Sequence, residues 1–256
     1  MTDQSTMNVI LKDGNTFRQI VSCMKDLITD SGEIVFNSKG LSIQSVDTLK
    51  VVLIDMILEE EAFLKYKLDV EEVKLALNFE NFNNVLKLSK STRIGMSYKP
   101  GTEKLALQLN EHDNKKIQFD MTLSSVDKTE LEITDIEYSV KVYIDATEFQ
   151  KSIKDLSSFG KKCSISVEGG DITLSVTGDA GNGQICISDA EIEYSFASEE
   201  TSKFEALFNL KYLNLFAKAG LSNEIILKFG KGVPFCFEYV LEYGHVKFFM
   251  SEMPVE

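Results

Sequence analysis

The sequence contains no tryptophan, only two histidines and three prolines, and no apolar run that approaches the length of a membrane span. A transmembrane helix needs about 20 largely apolar residues, so no membrane partner is expected. The first ten residues, MTDQSTMNVI, lack a basic region followed by an apolar one. No signal peptide is therefore predicted, and the expected protein is intracellular.

The cysteines and histidines are few and far apart. The four cysteines form no C-x-x-C pair, and His112 and His245 are distant from any cluster of ligand-type residues. Structural zinc requires closely spaced thiolates and imidazoles, so no metal and no cofactor are expected. The expectation for Cys23, Cys163, Cys186 and Cys236 is that they are buried free thiols in a reducing compartment.

The motifs of an enzyme are also scarce. Acidic runs at Glu59-Glu60-Glu61 and Glu199-Glu200 would suit a magnesium-dependent nuclease, but adjacent carboxylates on a strand point to opposite faces. Gly230-Lys231-Gly232 lacks the Ser/Thr and the upstream glycine of a phosphate-binding loop. The sequence therefore predicts a protein that is not an enzyme, with the nuclease as the alternative from another class.

An internal repeat is present instead. ALNFENFNNVLK (76–87) aligns without a gap with LFNLKYLNLFAK (207–218), and Lys25-Asp26-Leu27 recurs as Lys154-Asp155-Leu156. The offsets, 131 and 129, are nearly equal. Self-similarity of this kind predicts two similar halves, 1–122 and 139–256, joined by an extended connector at 123–138. Chance similarity between short amphipathic segments is the alternative interpretation.

Most of the chain has the alternation of a β-strand. Examples are KVVLIDMIL (50–58), EKLALQLN (103–110), KIQFDM (116–121) and HVKFFM (245–250). Helical periodicity occurs in four windows only, two in each half: 16–29, 78–90, 147–159 and 209–219. A chain that is mainly sheet with a few packed helices belongs to the α+β class.

The helical windows differ from the rest of the chain in charge. The whole protein has 40 acidic and 27 basic residues, a formal net charge of −13. The windows hold only four acidic residues, which leaves a net charge of −17 on the rest of the chain. The basic residues of the windows number eight: Arg18, Lys25, Lys87, Lys90, Lys151, Lys154, Lys211 and Lys218. Each lysine alone is ordinary on a solvated surface. Together, opposite the apolar helix faces, they predict a basic surface for a polyanion; in the second window the polar stripe is Glu80, Asn83 and Lys87.

Five segments resemble stretches of one family, the DNA sliding clamps of the proliferating cell nuclear antigen type, in the same order along nearly the whole chain. They are LSIQSVD (41–47), KDLSSFG (154–160), GDAGNGQICIS (178–188), LKYLNLFAKAG (210–220) and VPFCFEY…GHVKFFM (233–250). The resemblance implies two similar domains of antiparallel sheets with two helices each, and three subunits that close into a ring. It also implies a nuclear processivity factor for DNA replication and repair. A subunit of a heterotrimeric or checkpoint-type clamp is the alternative.

The resemblance further implies where the partners bind. The eight basic residues would contact the phosphates of double-stranded DNA without reading the bases. Edge strands would join the subunits. KKIQFDM (115–121), which contains Phe119, would pair with GNGQICIS (181–188) of a neighbouring subunit, which contains Gly183 and Ile185. Polymerase, clamp loader, flap endonuclease and ligase clients would bring a glutamine–apolar–aromatic peptide to six residues: Val46, Leu131, Ile133, Pro234, Phe249 and Met250. Gly169 stands where eukaryotic members carry a modified lysine.

Overall fold

The computed structural model describes residues 5–29, 31–90, 92–111, 115–125, 136–188, 190–195 and 203–254. The chain divides into two units, one of residues 1–131 with 241–246 and the other of residues 132–240 with 247–256. Among the described residues, no helix is long and apolar enough to span a membrane.

The described residues up to 125 form nine strands, two α-helices and one short 3₁₀ helix. Their order along the chain is β1 (Met7–Leu11), α1 (Gly14–Leu27), β2 (Ser31–Asn37), β3 (Gly40–Val46), β4 (Val52–Glu59), the 3₁₀ helix (Glu60–Ala62), β5 (Phe63–Leu68), β6 (Glu72–Asn78), α2 (Phe79–Leu86), β7 (Ile94–Tyr98), β8 (Lys104–Glu111) and β9 (Lys115–Thr122). A five-stranded sheet has the order β5-β1-β7-β8-β9, and four further strands follow the order β4-β3-β2-β6. Every pairing within these two sets is antiparallel.

The described residues from 136 to 254 form nine more strands and two helices. These are β10 (Val140–Asp145), α3 (Ala146–Leu156), β11 (Lys162–Glu168), β12 (Asp171–Gly178), β13 (Gly181–Ile187), β14 (Glu191–Tyr194), β15 (Lys203–Asn209), α4 (Leu210–Lys218), β16 (Glu224–Phe229), β17 (Phe235–Leu241) and β18 (Gly244–Met250). A four-stranded sheet has the order β13-β12-β11-β15, and five strands follow the order β14-β10-β16-β17-β18.

The second half therefore repeats the first, strand for strand and helix for helix. Strand β10 pairs with β14 and β16 as β1 pairs with β5 and β7, and β11 pairs with β12 and β15 as β2 pairs with β3 and β6. This confirms the predicted α+β fold of two similar domains of antiparallel sheets with two helices each. The boundaries at 122 and 138 stay a prediction, because residues 126–135 of the connector lie outside the described residues.

Alternating side chains of the strands and one face of each helix form the cores. In β8, for example, Leu105, Leu107 and Leu109 are buried, while the two residues between them are more exposed. In the first unit α1 contacts α2, and the rings of Phe17 and Phe82 meet edge to face at 5.9 Å. Burying these apolar side chains is the main favourable term that holds the helices on the sheets.

Aromatic rings dominate the second core. Phe149 of α3 and Phe216 of α4 both contact Phe237 of β17, with ring centroids 5.7 and 5.8 Å apart. Phe216 also stacks on Phe248 of β18 at 4.6 Å. Both helices of this unit are thus supported by one phenylalanine at the centre of a strand.

Three details of the sequence analysis were wrong. The helix predicted at 78–90 ends at Leu86, so Lys87 is its C-cap and Lys90 lies beyond it. Asn83, expected on the polar stripe, is only 3% exposed, because it lies between the core-facing Phe79 and the exposed Lys87 around the helix. Cys186 is exposed on β13, whereas the other three cysteines are buried free thiols, and burial raises the pKa of Cys163 and Cys236 to about 12.

Candidate nucleic-acid interface

The four helices that carry the basic residues begin in the same way. Each N-cap side chain accepts a hydrogen bond from a backbone N–H of the first turn: Asp13 from Asn15 and Thr16, Asn78 from Asn81, Asp145 from Glu148, and Asn209 from Lys211. An Asn or Asp cap typically contributes about 1 kcal/mol. Aspartate begins the first helix of each unit and asparagine the second, so the repeat includes the residues that fix where each helix starts.

The eight predicted DNA-contact residues lie on or next to these helices. Arg18 and Lys25 are half-buried. The other six are exposed: Lys87, Lys90, Lys151, Lys154, Lys211 and Lys218. The two cations of α1 are held by neighbours, since the Arg18 guanidinium donates to Asn15 Oδ1 at 2.5 Å and Lys25 Nζ lies 2.7 Å from Asp26 Oδ1. Of these two contacts, that of Lys25 is an ion pair, while the neutral Asn15 amide orients Arg18 without neutralising its charge.

Helix α4 is the most basic of the four. Lys211 and Lys218 are seven residues apart, which is nearly two turns, so they project on the same side about 10 Å apart along the axis. The opposite side, with Leu213 and Phe216, is fully buried. No acidic residue lies within α4, and the Lys211 ammonium lies 5.9 Å from the centroid of the Tyr212 ring.

The other two helices have mixed charge. Helix α3 exposes Lys151 and Lys154 together with Glu148 and Asp155, and α2 has Glu80 in its first turn and Lys87 at its C-cap. Because α1 contacts α2 and α3 contacts α4, the basic residues of each unit come from an adjacent helix pair. Flexible lysines on such a pair can bind phosphates, directly or through water, without contacting base edges.

Two further basic residues adjoin the helices and were missed by the sequence analysis. The Lys161 carbonyl accepts the Leu210 N–H at 3.0 Å, which places the exposed Lys161 beside the start of α4. The Thr92 carbonyl accepts the Gly14 N–H at 2.6 Å, which places the exposed Arg93 beside the start of α1. Both lie just before a strand and outside the helical windows, so a count by window does not include them.

The predicted subunit-contact residues lie on two strands at sheet edges. Strand β9 is last in its sheet beside β8, and β13 is last in its sheet beside β12. Phe119 of β9 is 41% exposed, and Gly183 and Ile185 of β13 are half-buried. An edge strand has unpaired N–H and C=O groups that can pair with another chain. Both strands are thus available for pairing, within the part of the chain that the structure describes.

The predicted peptide-binding residues differ in exposure. Val46 is half-buried at the end of β3 in the first unit, and in the second unit Pro234 is half-buried while Phe249 and Met250 are buried. Leu131 and Ile133 lie outside the described residues. Directly after Val46, the buried Asp47 carboxylate accepts the N–H groups of Leu49, Val51 and Val52. This ordered loop exposes Leu49 and Val51, two apolar residues that the sequence analysis did not single out.

No acidic or histidine–cysteine cluster suited to a metal occurs in the ranges that the structure describes. Glu59, Glu60 and Glu61 are exposed at the start of the 3₁₀ helix, and Glu199-Glu200 lies outside those ranges.

Comparison with known proteins agrees with this geometry. The family model described as proliferating cell nuclear antigen, N-terminal domain, matches residues 6–131, and the one described as proliferating cell nuclear antigen, C-terminal domain, matches residues 132–253. Among solved structures, the proliferating cellular nuclear antigen of Entamoeba histolytica matches with a TM-score of 0.89. The alignment covers 98% of this chain and 100% of that one at 21% sequence identity, a level at which the likeness shows the fold.

Proposed function

We propose that this chain, which belongs to the proliferating cell nuclear antigen family of DNA clamps, is a replicative sliding clamp. In this proposal three copies close into a ring around double-stranded DNA in the nucleus. The ring tethers the polymerase and other replication and repair proteins. Clamps of this family are scaffolds without catalysis, and no enzymatic step is assigned to this chain.

The observation that supports the proposal most directly is the position of the positive charge. Exposed lysines of the helices and their ends occur in a chain of net charge −13. Duplex DNA has about one phosphate charge per 1.7 Å of its axis, so lysines on several helices meet phosphates at any position along the duplex. Contacts of this kind are weak and independent of sequence, as sliding requires. Enclosure by the ring, rather than affinity, then keeps the clamp on DNA.

Ring closure is proposed to use the edges of β9 and β13. Pairing β9 of one copy with β13 of the next is a head-to-tail contact that closes by rotation and covers both exposed edges. Light scattering should then give a mass near three times 28.8 kDa. A persistent monomer would contradict the homotrimer and favour the alternative, a subunit of a ring made with different chains.

Client proteins are proposed to bind through glutamine–apolar–aromatic peptides at Val46, Leu131, Ile133, Pro234, Phe249 and Met250. The support is their position in the family resemblance. A labelled peptide of this type should bind the parent chain, and Pro234→Ala, a change at a half-buried surface position, should weaken its binding while the mass of the assembly stays the same.

The DNA proposal is tested by topology. The protein is allowed to thread onto a linear duplex that is anchored at one end, and the free end is then blocked with a bulky protein. A sliding clamp should stay on blocked DNA in a high-salt wash and leave when the DNA is cut. Lys211→Ala with Lys218→Ala should lower the amount of clamp that threads onto the DNA, without changing the mass of the assembly or the retention of clamps once the end is blocked. Lys65→Ala with Lys104→Ala, which removes two exposed strand lysines, is the matched control. Equal retention on blocked and unblocked DNA would contradict enclosure.

A further inference from the structure

The end of α4 is held by a tyrosine from a neighbouring strand. The Tyr239 hydroxyl of β17 donates to two carbonyl oxygens, that of Phe216 at 2.8 Å and that of Ala217 at 3.2 Å. The Tyr239 hydroxyl oxygen in turn accepts the Gly220 N–H at 3.2 Å. Tyr239 is fully buried, at 0% exposure. A buried tyrosine hydroxyl needs partners, and here three backbone groups of one helix end supply them.

These contacts surround Lys218. The last carbonyls of a helix have no partner within the helix, and at α4 two of them, Phe216 and Ala217, directly precede Lys218. On the other side, the Ala219 N–H bonds to the Phe216 carbonyl at 3.1 Å. Gly220 then takes a φ of +57°, the left-handed geometry common just after a helix. The backbone on both sides of Lys218 is therefore fixed through the hydroxyl.

The first unit has no tyrosine at the equivalent place. Tyr239 pairs with Ile225; Ile94 lies at the repeat offset of 131 from Ile225, and its partner across the strands is Leu109. Leucine fills the core there but cannot donate to a helix end. The tyrosine is therefore specific to the helix that carries two lysines and no acid.

We infer that Tyr239 is a positioning residue for DNA binding, which acts by holding the last turn of α4 so that Lys218 points at the phosphate backbone. The inference rests on the proposed function. A lysine on a frayed turn samples many directions and loses entropy when it binds a phosphate. A lysine on a fixed turn starts closer to its bound geometry, so removal of the hydroxyl should act through Lys218 and through no other lysine.

The test compares Tyr239→Phe, Lys218→Ala and the double variant. Binding of each trimer to a fluorescein-labelled blunt duplex is followed by anisotropy at increasing KCl concentration. The salt slope is the magnitude of the slope of log affinity against log salt concentration. It falls by about 0.9 for each phosphate that the protein no longer neutralises. Tyr239→Phe should lower the slope in the same direction as Lys218→Ala, and the double variant should have no lower slope than Lys218→Ala alone.

The matched control is Tyr66→Phe. Its hydroxyl also donates to two backbone carbonyls, those of Asn37 at 2.8 Å and Gly40 at 2.6 Å, but at a turn between strands of the first unit. This change should weaken the fold in a similar way and leave the salt slope at the parent value. If Tyr66→Phe lowers the slope as much as Tyr239→Phe, the effect is a general loss of stability and the inference is wrong.

The remaining outcomes separate the inference from the proposed function. If Lys218→Ala lowers the slope and Tyr239→Phe does not, the inference fails and the DNA proposal stands. If Lys218→Ala keeps the parent slope, Lys218 does not bind a phosphate, and both the inference and that part of the DNA proposal are wrong. Should Tyr239→Phe not fold, Ala219→Gly loosens the same turn through backbone entropy and should lower the slope; an unchanged slope would then overturn the inference.

Discussion

The two units share one fold but differ in what their side chains supply. The pairs Met96–Leu107 and Leu227–Phe237 occupy the same place in the repeat, yet only the second unit has an aromatic ring there. The helices differ as well, since α2 has Glu80 in its first turn, whereas α4 has two lysines and no acid. The repeat thus keeps pairing, caps and helix faces, which the fold requires. Charge and core volume differ between the units, so the two are expected to contribute unequally to DNA binding.

The largest expected effect is on stability, and it tests the difference between the cores of the two units. Phe237→Ala removes the ring that both α3 and α4 contact, and a buried Phe→Ala change costs about 3–5 kcal/mol. The matched change in the first unit, Leu107→Ala, should cost less, near the lower part of the range of about 2–5 kcal/mol for leucine. Urea unfolding gives the total loss for each variant.

Hydrogen exchange locates that loss, because two units need not unfold in one step. Phe237→Ala should raise exchange in both α3 and α4, while α1 and α2 keep their protection. Faster exchange in only one helix of the second unit would show that Phe237 does not support the two together.

The helices and strands were predictable because their signals are local. An apolar face of period 3.6 and an Asx cap lie within a dozen residues, and the windows at 16–29, 147–159 and 209–219 overlap α1, α3 and α4. The order of the strands was not predictable, since β1 pairs with residues near 66 and near 96. Alternation shows that a strand has a buried face, but it does not identify the neighbouring strand.

The limits of the candidate site have equally specific causes. The window at 78–90 continued through Leu88, whereas in the structure the Leu88 N–H turns back to the Val85 carbonyl at 3.0 Å. This i→i−3 bond tightens and ends the helix, and it leaves Lys90 on an irregular segment. Lys161 and Arg93 reach helix starts only through long-range backbone bonds, and the Tyr239 hydroxyl reaches α4 from a strand that follows it in the chain. No periodicity in a short window could show these.

An intermediate effect is expected from making α2 resemble α4. Glu80→Lys replaces an exposed acid of the first turn, so each subunit would acquire a cation and lose a repulsion toward phosphate. The slope of log affinity for duplex DNA against log salt should steepen by about 0.9 for each additional phosphate that is neutralised. A small loss of helix stability should accompany the change, because a cation at a helix N-terminus opposes the dipole.

The control for this change is Glu71→Lys, which makes the same charge change at an exposed position before β6. Salt titrations of both variants decide between local binding and net charge. If Glu71→Lys steepens the slope as much as Glu80→Lys, overall charge explains the binding and the α2 face has no special role.

The smallest effect concerns the caps, which are acidic on the first helix of each unit and neutral on the second. Burial alone would raise the pKa of Asp13, but hydrogen bonds from Thr16 and Asn15, with the charge of Arg18, outweigh it and hold that pKa below its ordinary value. A group with a lowered folded pKa stabilises the fold above its unfolded pKa of about 3.9 and loses this contribution as pH falls through the folded value.

Asp13→Ala should therefore cost about 1 kcal/mol at pH 7 and less at pH 3, by urea unfolding at each pH. Asn78→Ala removes a cap that does not titrate, so its cost should stay constant over the same range. An Asp13→Ala cost that is equally constant would show that the aspartate acts only as a neutral hydrogen-bond acceptor, and that the difference between acidic and neutral caps has no consequence for stability.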